Sequence, residues 1–386
     1  MPVISDDALA AWTRRSLAGV DELLRSTLHN PRDPFLTTVA THLLDAGGKR
    51  LRPTIALLAG RFGDPGHPHV PRAAAAVELM HVASLYHDDV MDEAPIRRGV
   101  PSVNARWGNR VAILAGDYLV AKAGELAAPL GAAALETQAR MLTRLVTGQL
   151  HETAGAGRRD DPERYYMGVI ADKTAALFAL AAGLGARASG APDEAVDALE
   201  AYGEALGIAF QLSDDLLDLS EPTARAGKPS NADLRQGVAT LPLLRALAPR
   251  RARGPGRTST TRQPGGRTSR TEENGRRASG TEAGDGPREV QGGGPERSAS
   301  WRRRDARDSA RLRRMLASGR RTGAGSVAEV AELLRRSPGF AEAHAEARRH
   351  ADDARRALLS LPPDPARDAL RDLCDHVVSR ATPPSP

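Results

Sequence analysis

The sequence predicts an all-α protein. Ala and Leu dominate its 386 residues, aromatics make up only 3%, and β-branched residues are sparse. Apolar residues recur at three- and four-residue steps over long stretches, the signature of helices with one buried face. The length is ample for a substantial core, as two domains or one large helical one.

Residues 5–28 form the first expected helix, with Leu9, Trp12, Leu17, Val20, Leu23 and Leu24 on one side. A break at Asn30–Pro34 leads to a short helix through Leu44. Gly47 and Gly48 end it. Lys49-Arg50-Leu51-Arg52-Pro53 then opens a helix running to about Arg61, with proline in its first turn. Three basic side chains beside the free N–H groups of a helix start suit an anion, although a plain basic cap has the same sequence. Residues 71–93 form the next helix. A loop follows, in which Gly99 and Pro101 are expected to leave Arg97 and Arg98 free to close over a ligand. Further helices are expected at 109–127, 132–153, 162–187 and 193–220, then at 326–336, 339–360 and 364–380.

The stretch from Leu79 to Arg98 carries the chemistry. Asp88 and Asp92 are four apart, so they lie on one face of a helix, with Asp89 beside them. Like charges at that spacing weaken a helix by a few tenths of a kcal/mol, about 0.2–0.5. Residues 208–219, IAFQLSDDLLDL, repeat the pattern with Asp214, Asp215 and Asp218. One such cluster reads as a solvated helix end. Two copies, each closing an apolar helix and each followed by basic residues, describe a site for a cation-bound phosphate ester. Mg²⁺ takes one or two carboxylates and completes its octahedron with water and phosphate oxygens.

These motifs resemble those of the trans-type isoprenyl diphosphate synthases of the polyprenyl synthetase family, over about residues 40–248 and 305–380. DDVMD is similar to the family's first aspartate-rich motif and DDLLD to its second. The resemblance implies an isoprenoid-synthase helical bundle with a central cavity, and Mg²⁺ held by Asp88, Asp92 and Asp214, with Asp89, Asp215 and Asp218 behind them. It implies isopentenyl diphosphate bound by Lys49, Arg52, His81 and Arg98. It places the allylic diphosphate against Lys173, Thr174, Gln211, Arg97 and Lys228, with Lys173 taking part in catalysis. Two departures stand out: Asn231-Ala232 where many relatives have Gly, and Gly237-Val238 where they have a second Gly-Lys. Ala83 and Ser84, one turn before Asp88, are small. In the family small residues there permit long products, so an all-trans polyprenyl diphosphate longer than C20, for quinone side chains, is expected. A homodimer is implied, with peripheral membrane contact for product release. The rivals are a short-chain synthase making the C15 or C20 diphosphate, a terpene cyclase, against which DDLLD argues, and a non-catalytic partner subunit.

The chain has four lysines, Lys49, Lys122, Lys173 and Lys228, against fifty arginines. Three of the four stand in polar motifs (GGKR, DKT, AGKP), where a compact charge on a flexible stem is wanted. The single cysteine, Cys374, excludes an internal disulfide and fits a reducing, cytoplasmic setting. The N-terminus lacks a signal-peptide pattern. No unbroken run of about 18 apolar residues occurs, so no membrane-spanning helix is expected, and Ala175 to Ala186 reads as a buried helix. Residues 250–304 hold fourteen Arg against six acids, a net +8, so the rest of the +6 chain is about −2. This Arg/Gly-rich insertion cannot bury enough apolar surface to order itself. It reads as an inert insertion, a misread stretch or an Arg-rich arm. With no aromatic before Trp301 to stack on bases, no nucleic-acid partner is expected. The expected organisation is residues 1–249 and 305–380 as one synthase domain, split by 250–304, with 381–386 as a tail.

Overall fold

The computed structural model describes residues 4–157, 159–220, 231–248, 308, 310–315 and 324–381. Lys228 and the 250–304 insertion lie outside the described residues. The structure is all-α apart from one two-stranded hairpin, as the Ala- and Leu-rich periodicity predicts.

Helix α1 (Asp7–Leu28) starts where the Asp6 carboxylate accepts a hydrogen bond from the Leu9 amide at 2.6 Å. Such a cap satisfies a donor that the helix start leaves without an intrahelical partner. Its buried stripe is Leu9, Thr13, Leu17, Val20, Leu24 and Leu28. Trp12 and Leu23, expected on that stripe, are half-buried at its margin. Helix α2 (Pro34–Asp45) is capped the same way by Asp33 and has Pro34 in its first turn. Helix α3 (Leu51–Ala59) begins after a turn in which Gly47 has φ 90° and Arg50 φ 48°. Helix α4 (His69–Met91) is buried without interruption from Ala73 to Met80. It packs on α1, α3 and α6 (Asn109–Ala127). Strands β1 (Ile96–Arg97) and β2 (Val100–Pro101) and the short helix α5 (Val103–Trp107) join α4 to α6.

Beyond α7 (Ala132–Ala154), α8 (Pro162–Ile170) passes through a π-helical turn, Ala171–Ala175, into α9 (Ala176–Ala188). Ala175 to Ala186, expected as a buried helix, is buried as part of a longer one. Pro162–Ala188 is one helix of 27 residues, long and apolar enough to span a membrane. Its apolarity has a local cause, because α9 is buried almost all round by α3, α4, α7 and α10 (Asp193–Ser220). It is the central helix of the bundle.

A second apolar cluster lies behind α10. It joins Tyr166, Leu212, Leu216 and Leu219 to Leu241 and Leu243 of α12 (Leu241–Leu247) and to Phe340 and Ala347 of α14 (Pro338–Ala357). Between them run α11 (Ala232–Gln236) and α13 (Ala324–Arg335), and α15 (Pro365–Ser379) closes the fold. Arg245 on α12 pairs with Glu163 on α8 at 2.6 Å and with Glu346 on α14 at 3.2 Å. Arg335 donates to the Leu219 carbonyl at 2.6 Å, neutralising the negative C-terminal end of α10. The segments flanking the insertion thus fold onto one another as a single unit behind the second aspartate motif.

Candidate active site

The first aspartate cluster closes α4. Asp88 lies in the last turn and Asp92 is the C-cap. His81, Ser84, Leu85 and Asp88 are the half-exposed positions of one helix face, and Asp92 lies one turn beyond. Asp89 points the other way and is fully buried. It accepts hydrogen bonds from Arg97, whose Nε lies 2.7 Å away, and so pins the hairpin to α4. Ala83 lies off the Asp88 face, in the core at 1% exposure. Ser84 is half-buried on that face and donates to the His81 carbonyl at 2.8 Å.

The expectation of a loop that frees the two arginines is overturned. Ile96–Pro101 is a hairpin with a two-residue turn. Its central residues, Arg98 and Gly99, have φ 53° and 77°. Positive φ at both positions is what the tight hairpin turn requires, and Gly99 supplies one of them without strain. Arg98 donates to the Leu43 carbonyl at 2.7 Å and the Gly47 carbonyl at 2.6 Å, and its second nitrogen lies 3.8 Å from Glu78. Both arginines are therefore held, one by a buried carboxylate and one by the glycine turn.

That turn builds an anion pocket. Arg50 faces inward, 2.8 Å from Asp21 and 2.9 Å from Glu78, which is 2% exposed. Lys49 is exposed at the mouth. Arg52 stacks over the Phe178 ring at 4.6 Å. Its Nε is buried without a hydrogen-bond partner among the described residues. Burial pushes its guanidinium down to about 10, against the pull of Glu78 and Asp214 and with added repulsion from Arg98. His81 is held well below the usual imidazole range by burial, and then by Arg52, Arg98, Arg97 and Arg50. It is a neutral imidazole among arginines. An under-compensated buried arginine beside them is a receptor for an anionic group.

The π turn ties the two aspartate helices together. Lys173 Nζ pairs with Glu152 of α7 and feels Asp88 and Asp92. Its neighbour Thr174 donates to Gln211 of α10 at 2.8 Å. An extra residue in the turn leaves carbonyls out of the regular ladder. Arg144 of α7 takes up the Ala171 carbonyl at 3.2 Å and pairs with Asp172 at 2.8 Å. In the second cluster Asp214 is 3.2 Å from Arg380, the C-cap of α15. Asp215 is buried and accepts from Gln211 at 2.8 Å and from Tyr166. Asp218 accepts from the Ala232 and Asp233 amides at 3.0 and 3.2 Å, fixing the start of α11. Asn231 there has φ 61°, a left-handed conformation that asparagine tolerates.

The acids that face the cleft fit a hard divalent cation. Burial pushes the Asp88 carboxyl up to about 6. Lys173 and Arg97 oppose the shift, while Asp92 and Glu152 add to it. The donors are all oxygen, and the carboxylates sit at negative helix ends, which attract cations. Among the described residues no three acidic, His or Cys side chains form a ready-made cage.

Gly148 lets α7 approach this turn. A Cβ there would lie 2.6 Å from the Lys173 amide nitrogen and 3.0 Å from the Asp172 Cβ. Gly148→Ala is expected to cost about 1–3 kcal/mol of stability by overpacking and to raise the KM for an allylic diphosphate by displacing Lys173. Gly124→Ala on α6, where a Cβ meets nothing within 4 Å, is the control and should be neutral or stabilising. Thermal melts and steady-state kinetics of the two variants check this.

The sequence reading missed Glu78, Glu152, Tyr166 and Arg380. Glu78 and Glu152 were legible only as acids within apolar or polar helices. Arg380 lies 166 residues from Asp214, and nothing local marks it.

Comparison with known proteins places this geometry. Residues 33–261 match the family model described as polyprenyl synthetase. The chain is 38% identical over 378 residues to the nonaprenyl diphosphate synthase of Mycobacterium tuberculosis, covering 98% of this chain and 96% of that one. It is similar to the crystal structure of a polyprenyl synthase from Caulobacter crescentus complexed with calcium and isoprenyl diphosphate. That match has a TM-score of 0.75 and 31% identity, and it covers 99% of each chain. The geranylgeranyl pyrophosphate synthase of Corynebacterium glutamicum, also complexed with calcium and isoprenyl diphosphate, matches with a TM-score of 0.72 and 36% identity over 98% of this chain and 99% of that one. With paired aspartate helices, an arginine-lined anion pocket and matches across nearly its whole length, this chain belongs to the polyprenyl synthetase family of prenyltransferases.

Proposed function

We propose that the chain condenses isopentenyl diphosphate with an allylic diphosphate, in the presence of Mg²⁺, to give an all-trans polyprenyl diphosphate longer than C20 that serves as a quinone side-chain precursor. The observation that carries this reading is the π turn, which sets Lys173 against Asp88 and Thr174 against Gln211. One short segment thereby addresses both aspartate helices.

Asp88, Asp92 and Asp214 hold the cation. When bound, Mg²⁺ supplies Lewis-acid neutralisation of the allylic diphosphate. Lys173 and Lys228 share the charge that grows on that leaving group, and Gln211 hydrogen-bonds it. Arg52, Lys49 and the neutral His81 hold the diphosphate of isopentenyl diphosphate. Arg97 and Arg98 act at one remove, Arg97 through Asp89 and Arg98 through the Gly47 turn. The condensation forms one carbon–carbon bond, and the lost proton goes to the departing diphosphate. Ser84, small and on the Asp88 face, leaves room for a growing chain. Ala83 next to it is small as well.

The long product is favoured by small Ser84 on the Asp88 face, not by core-buried Ala83, and by the nonaprenyl synthase relative. The geranylgeranyl synthase relative supports a C20 product as the second reading. Exposed Ile113 and Leu114 on α6, with Val146 and Leu150 on α7, support a homodimer. The lone buried Cys374 supports a cytoplasmic setting, with peripheral membrane contact at product release.

The test is an assay of purified protein with Mg²⁺, labelled isopentenyl diphosphate and a C15 allylic primer, with products resolved by length. A ladder extending past C20 is expected. Products stopping at C20 would replace the first reading with the second. No turnover from folded protein would overturn both.

A further inference from the structure

The second aspartate motif contains two acids that serve the fold, Asp218 at the start of α11 and the buried Asp215. Asp215 is 4% exposed and Tyr166, across from it on α8, is 9% exposed. Tyr166 donates its hydroxyl to Asp215 Oδ2, and Gln211 Nε2 donates to Oδ1 at 2.8 Å. Gln211 Oε1 in turn accepts the Thr174 hydroxyl at 2.8 Å. The four side chains form one line from α8 through α10 to the π turn.

The hydrogen-bond inventory gives this line a direction. The Gln211 atom facing Asp215 is the nitrogen, which donates to Oδ1. Its oxygen then faces Thr174, whose single hydroxyl proton is committed to it. One N–H of the Gln211 amide remains, while the Thr174 oxygen retains only acceptor capacity. Of this line, an anion reaching the corner beside Lys173 therefore finds one donor, the second Gln211 N–H. With Tyr166 on Oδ2, the carboxylate is held with Oδ1 towards Gln211. Without that hydroxyl, Asp215 turns towards other donors and the amide is no longer fixed.

We propose that Tyr166 is a positioning residue for the allylic substrate: acting through Asp215, it fixes the orientation of the Gln211 amide and so the donor presented to the allylic diphosphate. The inference rests on the reading above that Gln211 faces that diphosphate. It separates two neighbouring acids by role, with Asp214 facing the cleft and Asp215 serving the protein's own donors. It also separates two neighbouring tyrosines. Tyr165 spends its hydroxyl on the His151 carbonyl at 2.7 Å, outside the line.

The experiment is steady-state kinetics of the full chain with Mg²⁺, varying the C15 allylic diphosphate and isopentenyl diphosphate in turn. Tyr166→Phe should raise the allylic KM about tenfold, the scale of one lost hydrogen bond to a charged group. The KM for isopentenyl diphosphate should stay within about twofold of the parent, since a general loosening of the site would move both. Tyr165→Phe should change neither. Gln211→Met should raise the allylic KM, and adding Tyr166→Phe to it should have no further effect, because both act on one contact. Parallel rises in both KM values, no change, or additive effects in the double variant would overturn the proposal. If Gln211→Met alone leaves the allylic KM unchanged, the underlying reading of Gln211 fails and the proposal falls with it. Should Tyr166→Phe fail to fold, Asp215→Asn presents an amide in place of one accepting oxygen and should give the same selective rise. Its absence would equally overturn the proposal.

Discussion

Asp88→Asn is expected to lower kcat about 10²–10³-fold, the scale of losing one preorganised electrostatic group at a reacting phosphate, while leaving the fold intact or more stable. The two effects have one cause. Asp88 is half-buried beside Asp92 and Glu152, and its carboxyl is raised to about 6 from an ordinary 3.8. A carboxyl whose folded value is raised contributes stability that is fully present below the unfolded value. That contribution is lost as pH rises through the folded value. In metal-free protein, the Asp88 contribution therefore declines between about pH 4 and 6, and above that the charged group is a burden. A divalent cation removes the burden by supplying the missing positive charge. The parent should accordingly gain melting temperature on adding Mg²⁺ at pH 7 and gain less at pH 5, where protons compete. Asp88→Asn should lose most of that gain. Equal Mg²⁺ stabilisation of parent and variant, or unchanged turnover, would remove Asp88 from the cation site.

The second large effect is expected at Glu78, far from any reacting atom. Glu78→Gln leaves Arg50 and Arg98 facing a neutral amide. Glu78 is 2% exposed, Arg50 lies 2.9 Å from it with its own side chain 10% exposed, and Arg98 is 3.8 Å away. Because Arg50 keeps Asp21 and Arg98 keeps the Leu43 and Gly47 carbonyls, the loss is below that of a fully uncompensated buried charge, about 1–3 kcal/mol, the scale of hydrogen bonds to charged groups. Thermal unfolding followed by circular dichroism should show that loss. Inorganic diphosphate should restore part of it, since an anion held by Arg52, Lys49 and His81 brings negative charge beside the two arginines. A variant as stable as the parent, or one that diphosphate does not rescue, would show that Glu78 is not the hub of the pocket.

These two cases show how far the amino-acid pattern reaches. The helices were legible because a buried face imposes a three- and four-residue rhythm that needs no knowledge of neighbours. The rhythm also placed Asp88 and Asp92 on one face at a helix end. The Gly47–Arg52 turn was legible because glycines and a following proline punctuate the chain. The hairpin at Ile96–Pro101 was not, because two residues per strand carry no periodicity. The π turn was equally hidden, since one inserted residue leaves composition unchanged.

The same limit governs the acids and cations themselves. The sequence by itself determined an all-α bundle, two aspartate helices and the basic motifs beside them. It could not sort six aspartates of identical type into those that face the cleft and those that brace the fold. Asp89 is committed to Arg97, Asp215 to Tyr166 and Gln211, and Asp218 to the amides opening α11. Nor could it separate Arg52, whose Nε lacks a partner among the described residues, from Arg50 and Arg98, which are spent on carboxylates and carbonyls. Helical periodicity fixes only the angle at which a side chain leaves its own axis. Whether that side chain meets water, a substrate or a partner depends on which other helix packs there, and only the tertiary structure decides that.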